Sequence, residues 1–260
     1  MMRTQLSVVI PVYNSQDSIG IVVKSLLEHY AASYKMEVIL VNDGSIDRSN
    51  EVCSLLAAQY SNIKHLDLMK NCGQQAAILK GLSLAQGDYI ALMDDDMQTP
   101  PEELIKLIVK MDGGYDVVIA QRVKYNQTSF RKLLSEVNTI IVNWFLISPK
   151  KIYFSSFLVM KKSIAEEILK KATSNPNIQG LILQITNNIV NTPTAHRERK
   201  TGKSNYTLLK LLKFWFNGLD YVTTRKNRAI LFSSFLLILV GAVTCMYILV
   251  LLVASFFITN

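Results

Sequence analysis

The chain has 260 residues and a mass of 29.3 kDa, enough for one sizeable hydrophobic core. Hydrophobic residues make up 50% of it and the mean hydropathy is +0.22, which is high for a purely soluble enzyme. The formal net charge is +8, but no cluster of Arg with base-stacking aromatics is present, so we expect no nucleic-acid partner. Three Cys residues, an odd number without metal-like spacing, argue against a disulfide framework.

The first half of the chain alternates short β-branched runs with segments of helical spacing. Strands are predicted at 6–12, 36–41, 63–68 and 89–93, with helices at 18–30, 51–60 and 74–85 between them. Because the strand runs are apolar throughout rather than alternating, they predict an α/β fold with a mostly parallel sheet covered by helices. Further on, strands are predicted at 116–120 and 152–160, and an apolar helical stretch at 133–147.

Each of the first four predicted strands ends in polar residues, at 13–14, 42–44, 71–75 and 94–98. Ligands of parallel α/β sheets bind at the carboxyl ends of the strands. Any one of these clusters would pass for an ordinary loop. Four of them after four strands predict a shared binding rim.

The last of these clusters contains three consecutive carboxylates, Asp94, Asp95 and Asp96, followed by a helix start at Pro101. Adjacent carboxylates repel one another unless a cation lies among them. Mg²⁺ and Mn²⁺ are held by one or two carboxylates together with substrate phosphates. The triplet therefore predicts a metal site, with an acidic helix cap as the alternative.

The C-terminal segment, from Ala229 to Asn260, contains no Asp, Glu, Lys or Arg. It exceeds the roughly 20 apolar residues that cross a bilayer, so we predict a membrane span, either one tilted helix or a helix broken near Gly241. Cations at 225–228 flank it and predict that the preceding domain faces the cytoplasm. The segment 207–222 mixes Lys with Leu, Phe and Trp, which indicates an interfacial amphipathic helix or a surface helix packed on the domain.

Motifs along the chain resemble glycosyltransferase family 2, in the branch that makes polyprenyl-phosphate sugars. They are VVIPVYN at 8–14, VNDGSIDRS at 41–49, NCGQQAAILKGL at 71–82, GDYIALMDDDMQTPPE at 87–102 and RERKTGKSNY at 197–206. The resemblance implies a GT-A-type, Rossmann-like catalytic domain at 1–205, a juxtamembrane segment at 206–228 and a transmembrane segment at 229–260.

The activity implied is inverting, metal-dependent transfer from a UDP-, GDP- or dTDP-sugar to a polyprenyl phosphate, for envelope glycan or lipid-linked sugar synthesis. It would take place on the cytoplasmic side of the cytoplasmic (inner) membrane. A lipid phosphate is already anionic at neutral pH, so no strong general base is needed. The alternatives are transfer to a sugar hydroxyl of a glycan, which needs such a base, and an inactive membrane scaffold of the same fold. The sequence leaves the oligomeric state, including a homo-oligomer, open.

On the donor side, the resemblance implies that Pro11, Tyr13 and Asp43 contact the base and the ribose. It implies that Asp94 and Asp96 bind the metal and contact the donor, and that Gln98 lies near the sugar or the phosphates.

On the acceptor side, the resemblance implies two groups around the phosphates, the second centred on an arginine that clamps phosphate. Arginine suits this role because its guanidinium binds phosphate oxygens as a fork. The residues are Arg122, Arg131 and Ser135 in the first group, and Arg199, Lys203 and Ser204 in the second. Of these, Arg122 and Arg199 are expected to act with Asp96 in catalysis.

The sequence departs from the family pattern at several points. Asn42 stands where the family commonly has Asp, Ser15 where it frequently has Glu, and Asn205 where it commonly has Lys. Ser156 and Leu158 lie where an acidic or glycine residue and a basic residue are usual. Related bacterial enzymes usually carry two spans, whereas one apolar run follows the catalytic domain here.

Overall fold

A computed structural model of the chain describes residues 5–122, 152–173 and 176–196, with the side chain of Arg122 excepted. Seven strands and six α-helices lie in these ranges. The strands are β1 (Gln5–Val12), β2 (Lys35–Asn42), β3 (Ile63–Asp67), β4 (Tyr89–Leu92), β5 (Val117–Arg122), β6 (Leu158–Lys161) and β7 (Ile189–Thr194). The helices are α1 (Ile19–Tyr30), α2 (Ser49–Gln59), α3 (Gln74–Leu82), α4 (Leu104–Met111), α5 (Lys162–Lys171) and α6 (Ile178–Ile185), and a 3₁₀ turn at Pro101–Glu103 leads into α4.

The strands form one sheet in the order β3-β2-β1-β4-β6-β5-β7. Strand β6 is antiparallel to both of its neighbours, and all other pairs are parallel. The predicted α/β class and mostly parallel sheet are therefore confirmed. Because β6 runs backwards, the residues that precede it arrive at the edge of the sheet where the parallel strands end.

Helices cover both faces of the sheet, which explains why the central strands are apolar throughout. In β1 every residue from Leu6 to Val12 is buried. Val8 and Ile10 belong to a core cluster with residues of α1 and α4. On the other face α3 approaches so closely that a Cβ on Gly81 would lie 2.3 Å from Cγ1 of Val9.

The second half of the described chain is where prediction and structure differ most. The strand predicted at 152–160 begins only at Leu158, and the backbone of Tyr153 is bonded by Asn191. Its side-chain amide accepts from the Tyr153 N–H at 2.9 Å and donates to the Tyr153 carbonyl at 2.7 Å. The sequence pattern did not predict helices α5 and α6 or strand β7.

The stretches predicted at 133–147, 207–222 and 229–260, and the domain boundaries at 205 and 228, lie outside the described residues. Within the described ranges, no helix is long and apolar enough to cross a membrane.

Tyr30, the last residue of α1, joins this helix to the turn that starts α4. Its buried hydroxyl donates to the carbonyl oxygens of Pro101 and Glu102, at 2.9 and 3.0 Å, and accepts from the Ile105 N–H at 3.0 Å. Burial raises the pKa of Tyr30 to about 12, with a smaller opposing effect from the Ile105 N–H. One side chain thus fixes the helix that follows the three aspartates.

We expect Tyr30→Phe to lower the free energy of unfolding by about 1–3 kcal/mol at neutral pH, because it leaves buried backbone groups without a partner. The raised pKa of Tyr30 means that the folded protein keeps this proton after the unfolded chain loses it near 10.0. The difference from wild type should therefore shrink as the pH rises from about 10 to about 12.

Urea unfolding of the full chain, followed by circular dichroism, measures both effects. Tyr34→Phe is the matched control, because the Tyr34 ring lies 6.2 Å from that of Tyr30 and its hydroxyl has no hydrogen bond within the described ranges. Equal stability of the two variants would contradict the assignment.

Candidate active site

The carboxyl ends of the first strands meet at one rim. Val12, Asn42 and Asp67, the last residues of β1, β2 and β3, lie level in the register of the sheet. Hydrogen bonds join the loops that follow the first four strands, so the predicted convergence of the four polar clusters is observed.

Each of these loops contains a residue with positive φ. They are Asn14 (55°), Gly44 (63°), Met69 (59°) and Met97 (59°). Asn14, Met69 and Met97 are the only non-glycine residues with positive φ in the part of the chain that the structure describes. At the three non-glycine positions this conformation costs about 1–3 kcal/mol per residue, and such strain is concentrated at functional sites in proteins.

Asp43 fixes the loop after β3. Its buried carboxylate accepts from the N–H groups of Cys72 at 2.7 Å and Gly73 at 2.9 Å. Gly44 allows this arrangement, since a Cβ there would lie 2.4 Å from the carbonyl carbon of Lys70. Asp43 therefore shapes the rim through the backbone, and its contact with a base stays a prediction.

Asp67 is a rim residue that the sequence analysis missed. Its carboxylate accepts from the side-chain amides of Asn42 (2.8 Å) and Asn50 (2.9 Å) and from the Met69 N–H (3.0 Å). The Met69 N–H, followed by the two amides, outweighs desolvation and holds the pKa of Asp67 below its ordinary value. Asn42, a departure from the family pattern, thus donates to a carboxylate that an aspartate there would repel. The available signal was the position of Asp67, level with Asn42 at the end of β3.

Asp94 is held from two elements. Gln74, the first residue of α3, donates from Nε2 to Oδ1 of Asp94 at 2.9 Å. Ser156 donates from Oγ to Oδ2 of the same carboxylate. Neither contact was predicted, since the first depends on where α3 begins relative to β4 and the second on the reversed direction of β6.

Asp95 points to the loop between β1 and α1. Its Oδ2 accepts from the Tyr13 N–H at 3.0 Å and from Ser15 Oγ at 2.5 Å. Burial raises the pKa of Asp95 to about 6; these two donors oppose the rise, and the charges of Asp94 and Asp96 add to it. Carboxylate repulsion within the triplet, which the sequence suggests, is thus present in the fold.

Asp96 closes a tight turn. Its Oδ1 accepts from the Gln98 N–H at 3.1 Å across Met97, which has a positive φ. The described residues contain no group of three or more His, Cys, Asp or Glu side chains placed to hold a metal ion. Carboxylates bind a hard cation together with substrate phosphates and water, and metal binding by Asp94 and Asp96 stays a prediction.

The other predicted site residues divide into three groups. Pro11 is buried in β1 opposite Val41, and Tyr13 lies at the rim with 40% of its surface exposed. Arg122 is the last residue of β5. Ile119, three residues earlier, pairs with Leu158 at the start of β6, so the backbone of Arg122 lies on the rim side of the sheet. The remaining residues lie outside the described ranges: Arg131, Ser135, Arg199, Lys203 and Ser204.

Comparison with known proteins gives matches over most of the chain. The model of the family described as glycosyl transferase family 2 matches residues 7–169. The undecaprenyl-phosphate 4-deoxy-4-formamido-L-arabinose transferase of Yersinia enterocolitica is 33% identical over 248 residues, covering 92% of this chain and 72% of the relative. Its counterpart in Photorhabdus laumondii is 32% identical over 230 residues, with 86% and 70% covered. A Bacillus subtilis protein named uncharacterized glycosyltransferase YkcC is 29% identical over 257 residues, with 97% and 78% covered.

Solved structures share the fold. Glucosyl-3-phosphoglycerate synthase from Mycobacterium tuberculosis, in complex with phosphoglyceric acid, superposes with a TM-score of 0.64 at 15% identity, covering 84% of this chain and 80% of that one. The same enzyme in complex with Mn²⁺ and UDP-glucose gives a TM-score of 0.62 at 15% identity, with 84% and 79% covered. The predicted GT-A-like architecture is thereby confirmed for the described part of the chain.

We expect Gly44→Ala to lower the free energy of unfolding by at least about 1–2 kcal/mol, because it forces an L side chain into a left-handed conformation. The new methyl group also meets the backbone of Lys70 and Asn71. Gly20→Ala is the control: a Cβ there finds open space in α1 and should stabilise the chain by about 0.4–1 kcal/mol. Urea unfolding measures both, and the same sign of change for both variants would contradict the packing described.

Proposed function

Since this chain belongs to glycosyl transferase family 2, we propose that it transfers a sugar from a nucleotide-sugar donor to a polyprenyl phosphate. The observation that carries the proposal is the pair Asp94 and Asp96 at the rim, with Asp94 held by side chains from α3 and from the segment before β6. The names of the relatives, which are undecaprenyl-phosphate sugar transferases, support this acceptor class.

The donor nucleotide would lie across the loops after β1, β2 and β3. Tyr13 offers an exposed aromatic surface to a base, and Asp43 keeps the loop at Cys72 and Gly73 in place below it. The diphosphate would then extend towards the loop after β4. Gln98, whose N–H is held by Asp96, lies on that loop.

We propose that Asp94 and Asp96 hold a divalent cation, Mg²⁺ or Mn²⁺. When bound, such an ion neutralises charge on the diphosphate as it departs from the sugar. Gln74 and Ser156 keep the carboxylate of Asp94 oriented, so little reorganisation is needed on binding.

The acceptor side favours a phosphate over a sugar hydroxyl. Residues 152–157, which lead into β6 next to Asp94, are Ile-Tyr-Phe-Ser-Ser-Phe and offer no carboxylate as a general base. A phosphate acceptor is already anionic and needs none. Arg122, at the rim end of β5, is suited to bind its oxygens, and Arg199 with Lys203 and Ser204 stay predicted as partners beyond the described residues.

The lipid acceptor places the reaction at a membrane. We propose that the catalytic domain works on the cytoplasmic face of the cytoplasmic membrane, where nucleotide sugars are made. The charge-free segment 229–260 and the cations that precede it support this placement.

The test is a transfer assay with the full chain in detergent, undecaprenyl phosphate, Mn²⁺ or Mg²⁺ and a panel of labelled UDP-, GDP- and dTDP-sugars. We expect label to enter the organic extract with one class of donor, and chelation of the metal to prevent it. Absence of label from the organic extract with every donor of the panel would contradict the proposal.

In the same assay, Asp96→Ala should lower the transfer rate by at least about a hundredfold, since it removes a ligand of the cation that would stabilise the charge on the departing diphosphate. Asp112→Ala is the matched control, because Asp112 is an exposed aspartate just past the far end of α4. Metal-dependent binding of the matching nucleoside diphosphate should be lost with Asp96→Ala alone. Unchanged binding and turnover in that variant would show that the metal site is wrongly placed.

A further inference from the structure

We propose that Asp95 is a positioning residue, which with Ser15 and Ser18 forms a latch between the nucleoside side and the diphosphate side of the site. The inference rests on the proposed function for the identity of these two sides. It concerns the middle aspartate of the triplet, to which the resemblance assigns no role, and a serine that departs from the family pattern.

The three carboxylates take donors from different parts of the fold. Asp94 accepts from Gln74 and Ser156, and Asp96 accepts from the N–H of Gln98 in its own loop. Asp95 instead accepts from the loop after β1. Asp95 therefore joins two loops, whereas Asp94 and Asp96 are left to the metal and diphosphate side of the site.

Asp95 is bound to the loop after β1 through both its side chain and its backbone. Its Oδ2 accepts from the Tyr13 N–H (3.0 Å) and Ser15 Oγ (2.5 Å), and its carbonyl oxygen accepts from Ser18 Oγ at 2.6 Å. A displacement of either loop therefore breaks more than one hydrogen bond.

Ser15 is itself held by its backbone. Its N–H donates to Oγ of Ser49, the first residue of α2, at 2.7 Å. Its carbonyl oxygen accepts from the N–H groups of Ser18 (3.1 Å) and Ile19 (3.0 Å), which begin α1. The latch is therefore fixed to the starts of two helices, and Asp95 transmits that position to the loop that carries Asp94 and Asp96.

The latch fixes the distance between the region proposed to bind the base and the region proposed to bind the metal and diphosphate. Tyr13, on one side of the latch, is 40% exposed and lies in the region proposed for the base. Asp94 and Asp96, on the other side, are proposed to hold the metal and diphosphate. A nucleoside diphosphate would contact both sides, whereas a metal ion alone would bind on one. Loss of the latch should therefore weaken the binding of a nucleoside diphosphate far more than the binding of a metal ion alone.

The experiment is a double-mutant cycle on Ser15 and Asp95 with two readouts. One is affinity for UDP, GDP or dTDP, whichever binds the wild-type chain in Mn²⁺, and the other is affinity for Mn²⁺ alone by electron paramagnetic resonance. Ser15→Ala should weaken nucleoside diphosphate binding by about tenfold, the worth of one hydrogen bond to a charged group, with Mn²⁺ affinity near that of wild type. Ser25→Ala is the control and should leave both affinities unchanged, because the Ser25 hydroxyl lies within α1 beside His29, away from the rim.

Rescue distinguishes positioning from a general loss of structure. Ser15→Glu places two carboxylates against each other and should weaken nucleoside diphosphate binding more than Ser15→Ala does. Adding Asp95→Asn to Ser15→Glu replaces one of these carboxylates with an amide that donates to the other. The double variant should recover most of the loss, a non-additivity expected only for residues in contact. The same cycle in melting temperature, without nucleotide, covers the case in which Ser15→Glu folds poorly.

Additive effects of Ser15→Glu and Asp95→Asn in both nucleoside diphosphate affinity and melting temperature would overturn the latch, as would equal nucleoside diphosphate affinity of Ser15→Ala and Ser25→Ala. No acceptor lipid enters these measurements. A cycle that behaves as expected together with a failed lipid transfer assay would therefore retain the latch and reject the acceptor. The converse result would retain the acceptor and reject the latch.

Discussion

Three adjacent carboxylates at the end of β4 repel one another, and the surrounding loops are arranged around that repulsion. The fold separates them by giving each its own donors: Gln74 and Ser156 for Asp94, the Tyr13 N–H and Ser15 for Asp95, and the Gln98 N–H for Asp96. The repulsion is reduced but still present, and it adds to burial, the larger cause, in raising the pKa of Asp95. A cation bound by the outer pair would remove what remains, which is why negative charge accumulated at this point suits a metal-dependent transferase.

This arrangement depends on a rigid sheet. Strands β1, β2 and β3 end level with one another, and α3 lies so close to β1 that a Cβ at position 81 would meet the side chain of Val9. The reversed strand β6 then delivers Ser156 to the same rim from the opposite direction. The strained residues at the ends of the strands, such as Met97, are tolerated because this scaffold determines their position.

The sequence predicted the first half of the fold well because its physical signals are local. Apolar runs closed by polar turns identified β1 to β4, and the repeated alternation with helices identified the parallel sheet. Strand β7 and helices α5 and α6 escaped prediction, and the segment before β6 was taken for a strand because its residues are largely apolar. In the structure Asn191 bonds the backbone of Tyr153 through its side chain, a contact between residues far apart in the chain that periodicity does not report.

The site shows the same division. The outer aspartates and the rim were predictable from motif and strand order, whereas the partners of each carboxylate were not. Ser15 and Asn42 looked like losses relative to the family pattern, yet each donates to a carboxylate, Asp95 and Asp67 respectively, that an acidic residue in its place would oppose. Departures of this kind become intelligible only when the pair is seen together, because the compensating residue lies on another strand or loop.

The most direct test of the divided roles of the three aspartates is an experimental structure of the full chain with Mn²⁺ and the nucleoside diphosphate that it binds. We predict the manganese at Asp96 and Asp94, bridged to the diphosphate, with Asp95 still bound to the Tyr13 N–H and Ser15. Manganese coordinated by Asp95, with its contacts to the β1 loop broken, would contradict that division.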